Sequence, residues 1–173
     1  FAVLVTYSST RGTSTGRAAT APEAFTYTVV ADFEANDLLI IRNNDLTAVA
    51  SIPTQGVKPY NVELDPRKPL AYVLNRDSRD VSVIDIQQRR FLHKLPALDI
   101  PTGEMPLQME VTPNGKYLLI VAWPSEALYV YDLRSNQLAA TVPQVGTGNI
   151  AIAPDSTRAY IVQGGLFNPN QLV

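Results

Sequence analysis

Cysteine is absent and histidine occurs once, at His93. Without thiols the chain has no disulfide framework, no thiolate nucleophile and no zinc–sulfur site. Without a second imidazole it has no multi-histidine metal centre of its own, and without Cys-x-x-Cys-His it has no c-type haem attachment. Charge is also scarce: 17% of the residues are charged and the net is −2. Such a balance makes no long-range field and no case for nucleic acid. No apolar run is long enough to cross a membrane. Gly12 and Gly16 are not followed by Gly-Lys-Ser/Thr, so the stretch around them is no phosphate loop. A leading Met and a signal pattern are missing too, and Phe1 reads as a processed or cut start. What remains is 46% hydrophobic, the composition of a globular chain.

The positive signal is repetition. Residues 56–96 read GVKPYNVELDPRKPLAYVLNRDSRDVSVIDIQQRRFLHKLP, and residues 103–143 read GEMPLQMEVTPNGKYLLIVAWPSEALYVYDLRSNQLAATVP. Pro59 matches Pro106, Pro66 matches Pro113 and Asp85 matches Asp132, each pair 47 residues apart. Each copy holds four short β-like runs divided by turn residues. In the first copy these are a short strand at 61–64, a nearly all-apolar run at 70–74, an alternating β-branched run at 81–86 and a more polar one at 91–95. An all-apolar run of strand length implies burial on both faces, and charge suits an outer edge. Four antiparallel strands in about 40–47 residues make one blade of a β-propeller. An ordinary antiparallel sandwich is the competing all-β fold, and the matched turn residues count against it.

The rest of the chain follows this unit. Residues 1–24 hold a strand at 1–7 and a Ser/Thr/Gly-rich connector at 8–24. The partial propeller occupies 25–173, with blades at 25–53, 57–96 and 104–143 and an incomplete one at 149–173. The first blade has strands at 25–30, 37–42 and 46–52. It either borrows 1–7 as its inner strand or is degenerate. The last unit, NIAIAPDSTRAYIV, supplies two strands and no third. A propeller needs about four blades or more to close. The remainder of the propeller, or a complementary chain, is therefore expected to hydrogen-bond along the free edge of 159–162. A native assembly built by such strand addition is one reading of the chain.

The units resemble YVTN-type β-propeller repeats. The matching pieces are Pro66, Ala71-Tyr72-Val73, Asn75 and Val81-Ser82-Val83-Ile84-Asp85, repeated from Pro113 to Asp132 and, cut short, from Pro154 to Val162. In the first unit Arg42 stands where the third-strand Asp belongs. The resemblance implies about three to four blades of a seven-bladed propeller, and an exported protein: periplasmic, secreted or at the cell surface, with a cytoplasmic site left open. Lactonase-like propellers and the heavy subunits of quinone-dependent amine dehydrogenases are similar, as are the propellers of cytochrome-d1-like proteins.

Function is read from one rim. Loops after each second strand and the connectors between blades share one rim; the remaining turns share the other. The first rim gathers Lys58, Tyr60, Asn75, Arg76, Asp77, Ser78, Arg79, Glu104, Gln108, Trp123, Glu126 and Gln163. Binding residues favour loops on a rigid scaffold, so Lys58, Tyr60, Arg76, Asp77, Arg79, Glu104, Trp123 and Glu126 form the candidate surface for a protein or glycan partner. Arg76–Asp77 otherwise reads as a solvated pair, and Trp123 as packing between blades. Asp85 and Asp132 read as acceptors closing turns. His93, on an outer strand, is too far from the rim for a Ser–His–Asp arrangement. No catalytic constellation, metal or cofactor site is expected. Asp99 and Glu104 are the carboxylates to consider for acid/base work, in a lactonase-like hydrolase or a structural subunit of a quinone- or haem-dependent oxidoreductase.

Overall fold

Short runs of Val, Ile, Leu and Tyr at alternating positions, punctuated by Asp, Asn and Pro, build nothing but strands and turns. The computed structural model describes residues 4–10 and 24–162. Among these there are fourteen strands and no helix. The first sheet is β1 (Leu4–Thr10), β2 (Ala24–Asp32), β3 (Asp37–Arg42) and β4 (Thr47–Pro53); the second is β5 (Pro59–Leu64), β6 (Leu70–Asn75), β7 (Asp80–Asp85) and β8 (Arg90–Lys94). The third is β9 (Met105–Val111), β10 (Tyr117–Trp123), β11 (Ala127–Asp132) and β12 (Gln137–Val142), followed by the pair β13 (Ile150–Ile152) and β14 (Ala159–Ile161). Every sheet is an antiparallel meander, and β5 packs beside both β1 and β9.

The first blade takes its inner strand from the N-terminal segment. β1 pairs with β2 from Leu4↔Val30 to Thr10↔Ala24. Ser8, Ser9 and Thr10 thus continue a strand where the composition suggested a connector, because the ladder to β2 outweighs their turn preference. The connector itself and Gln163 lie outside the described residues. The strand at the chain's start does not close onto the last unit. Among the described residues β14 has one neighbour, β13.

Two seams form the core. Ala71 and Val73 of β6 join Val29, Leu38 and Ile40 between the first two sheets. Tyr72 and Leu74, alternate residues of the same strand, join Met109, Leu118 and Ile120 between the second and third. The all-apolar LAYVL run is therefore buried on both faces, as strand alternation requires. A smaller cluster of Leu119, Val121 and Leu128 carries Ile150, Ile152 and Ile161 of the last pair.

Turn chemistry is repeated with the blades. Asp132 Oδ1 accepts from the backbone N–H groups of Arg134 and Ser135 at 2.8 and 3.2 Å, and Asp85 Oδ1 accepts from Gln88 N–H at 2.7 Å. These contacts hold the Asp132 carboxyl below its ordinary range and give both aspartates a turn-closing role. In the first blade Arg42 pairs at 2.8 Å with Asp45, which accepts from Thr47 N–H and takes over that role. The last turn residue is left-handed in all three complete blades: Leu46 (φ 55°), Arg89 (55°) and Asn136 (56°).

Candidate functional site

The connector rim is assembled by backbone first. Thr54 N–H donates to Asn36 O, and Lys58 N–H donates to Asn36 Oδ1 at 2.7 Å, which fastens the first connector to the β2–β3 turn. Arg76 N–H then donates to Lys58 O at 2.9 Å, and Asp77 N–H to Val57 O at 3.1 Å. Ser78 Oγ accepts from Val57 N–H at 3.0 Å. A buried network supports this junction from below. Asn75, with no exposed surface, donates to Asp80 Oδ1 at 2.7 Å and to Ser82 Oγ at 2.8 Å, while Ser82 donates to Thr54 O.

On that base the side chains of two blades converge. Lys58 Nζ lies 4.5 Å from the centre of the Phe33 ring and 2.8 Å from Glu34 Oε2. The Arg76 guanidinium lies 4.8 Å from the Phe33 ring centre and 5.7 Å from that of Tyr60, and Nε meets Asp77 Oδ1 at 2.9 Å. The two rings meet edge to face with centres 6.4 Å apart. Arg79 donates to Asp77 O at 3.3 Å. Two cations against two aromatic rings is an arrangement that attracts through the ring quadrupoles, and each cation is also paired with a carboxylate, Glu34 or Asp77. Lys58, Tyr60, Arg76, Asp77 and Arg79 come together here. Phe33 and Glu34 join them from the loop that corresponds in the first blade to 76–79, a correspondence visible in the repeat but carrying no obvious chemical motif.

The other candidates gather at the third blade. Glu104 Oε2 accepts from Ser125 Oγ at 2.7 Å and from Ser125 N–H at 3.3 Å. Burial pushes the Tyr129 hydroxyl up, and the charges of Glu104 and Asp99 add to the shift, so both carboxylates bear on one phenol. Trp123 ends β10 beside them, 51% exposed, and is not sealed between blades. Glu126 occupies the left-handed end of the β10–β11 turn (φ 55°). His93 is exposed on the outer strand β8, with Nδ1 2.9 Å from Lys94 O.

Two further features escaped the sequence reading. On the opposite rim a cavity of about 300 Å³ is lined by Asp65, Arg67, Lys68, Asn114, Lys116 and Arg134. On the inner strands, Glu63 of β5 lies near Glu110 of β9. Burial, with the Glu110 charge adding, pushes the Glu63 carboxyl up to about 8, and burial raises Glu110 as well. Their equivalence in the two repeats, 47 residues apart, was the available signal.

No protein-family model and no curated protein sequence matches the chain. Solved structures do match. Hydrazine synthase of Kuenenia stuttgartiensis superposes with a TM-score of 0.70 at 17% identity, over 82% of this chain and 40% of that one. Dihydro-heme d1 dehydrogenase NirN in complex with DHE superposes with a TM-score of 0.58 at 20% identity, over 70% of this chain and 26% of that one. The fold is a β-propeller. At this identity the likeness speaks to fold alone: it supports the propeller expected from the repeats and does not reach the YVTN-type family. The chain spans less than half the length of either protein.

Proposed function

We propose that this chain is part of a non-enzymatic β-propeller platform, exported or displayed at the cell surface, that engages a protein or glycan through its connector rim. The carrying observation is the Phe33–Lys58–Tyr60–Arg76 cluster, with rings and cations from two blades at one surface point. Aromatic and arginine side chains are the usual anchors of such contacts, and Phe33, Tyr60 and Arg76 stand half-buried at this surface. The half-exposed Trp123 extends the surface to the third blade. Site-specific photo-crosslinking tests this. A crosslinker placed at Arg76 or Trp123 in the native protein should trap a partner, and one at His93 should not. Equal trapping from all three positions, or trapping from His93 alone, would remove the rim. A glycan array read with wild type and Arg76→Ala covers the carbohydrate arm.

A second reading is favoured by the superposing structures, a hydrazine synthase and a dihydro-heme d1 dehydrogenase. In it the propeller is the structural part of a haem- or quinone-dependent oxidoreductase, whose chromophore sits on another domain or chain. An optical spectrum of the native assembly decides this: absorption bands that co-purify with the propeller support it, and a featureless visible spectrum counts against it. A lactonase-like activity would require Asp99 or Glu104, and full turnover in both Asp99→Asn and Glu104→Gln would dismiss that variant. In every version the remaining blades, or a complementary chain, complete the ring.

A further inference from the structure

The inner strands carry a constellation that neither reading uses. Asn61 and Glu63 project from one face of β5, and Gln108 and Glu110 from the equivalent face of β9. Each stands three or five residues before the turn proline of its blade, Pro66 or Pro113. Asn61 Nδ2 donates to Gln108 Oε1 at 3.1 Å, which joins the two inner strands at this level. Asn61 is 4% exposed, and its Oδ1 is fully buried with no donor. A buried amide oxygen without a partner forfeits part of its solvation. Two residues further along the same strands, Glu63 and Glu110 set two carboxyl groups close enough for the charge of one to bear on the other. A single cation would meet the orphaned amide oxygen and balance the two carboxyl groups once they release their protons. The position of the two glutamates is filled in the last unit by Ala151, so the acid pair belongs to the second and third blades.

We propose that the inner edge of the second and third blades binds a hard divalent cation, through the Glu63 and Glu110 carboxylates and the amide oxygen of Asn61. All three are oxygen donors, and Gln108 Oε1 is a fourth within the same group. Oxygen-only donors on two separate strands suit calcium, which accepts flexible geometry, better than magnesium, which demands a near-octahedral shell and keeps its waters. The sequence alone argued against a metal because it holds no cysteine and a single histidine, which speaks to zinc and other soft or borderline ions only.

The test is calorimetric titration of the chelator-treated native protein with CaCl2. One site is expected, with affinity at least about tenfold weaker in Glu63→Gln, in Glu110→Gln and in Asn61→Leu, and unchanged in the rim variant Glu34→Gln. MgCl2 should bind more weakly than CaCl2. No binding heat at millimolar CaCl2, or affinity undiminished in the double Glu63→Gln/Glu110→Gln variant, would overturn the site; in the first case a buried water satisfies Asn61. A terbium-soaked crystal of the wild-type protein decides independently of variant folding. An anomalous peak within about 2.3–2.6 Å of Asn61 Oδ1 and a glutamate oxygen supports the site, and peaks only elsewhere exclude it.

Discussion

Gly56→Ala is the sharpest perturbation of the junction beneath the rim. Gly56 has no positive φ to protect; what it needs is space, because an added Cβ would overlap the side chain of Asn75. Asn75 cannot yield cheaply. It is wholly buried, and moving it breaks its hydrogen bonds to Asp80 and Ser82. Each bond contributes about 1 kcal/mol, and forcing a methyl into a filled site costs about 1–3 kcal/mol. Against this, alanine recovers about 0.5 kcal/mol by restricting the unfolded chain. The net loss is then about 2.5–4.5 kcal/mol, equivalent to a Tm drop of roughly 5–18 °C for a chain of this size. Asn75→Ala alone should cost less, about 1–2 kcal/mol, because it also removes the partnerless Asn75 Oδ1. The double variant should be no less stable than Gly56→Ala, since the clash has gone. Urea melts of the four proteins give the coupling directly. Strict additivity, or a Gly56→Ala protein as stable as wild type, would refute the overlap. Because the same connector positions Lys58 through Asn36, Gly56→Ala should also weaken whatever the rim binds.

Leu46 holds a left-handed conformation (φ 55°) while 78% exposed, so Leu46→Asn should stabilise by roughly 0.5–1 kcal/mol in a thermal melt, since Asn tolerates αL better than Leu. Leu118, with no exposed surface in the seam of the second and third blades, should cost about 2–5 kcal/mol when cut to Ala, read from the urea midpoint. Glu63 titrates near 8 in the fold, against an ordinary 4.5, so the folded state holds a proton that the unfolded state has released between those values. Stability in a chelating buffer should therefore fall as pH rises from about 4.5 to about 8, with a slope of at most about 1.4 kcal/mol per pH unit. Glu63→Gln should flatten that slope; an unchanged profile would show that another group sets it.

The blades were legible because a strand's side-chain period and a turn's residue preferences are local properties. The all-apolar LAYVL and the alternating VSVIDI announce themselves without any partner, and Pro66, Pro113 and Pro154 mark successive units. The first blade's inner strand was only half legible: Ser8, Ser9 and Thr10 read as connector, and their place in β1 is decided by pairing with Phe25 and its neighbours across the first sheet. The rim could be assigned from strand direction, which alternates with each hairpin. Its membership could not, because Phe33 meets Lys58 and Arg76 only when two blades are set side by side. Glu63 and Glu110 look like ordinary charges on alternating strands; that the charge of one bears on the other, and that Asn61 is buried against Gln108, is a consequence of how inner strands crowd together. Sequence determines which stretches are strands, where they turn and how often the unit recurs, since those follow from each segment's own backbone and pattern. Which side chains become neighbours across blades, and so which charges are buried and which rings meet cations, is decided by tertiary packing, because those distances join residues that no local rule connects.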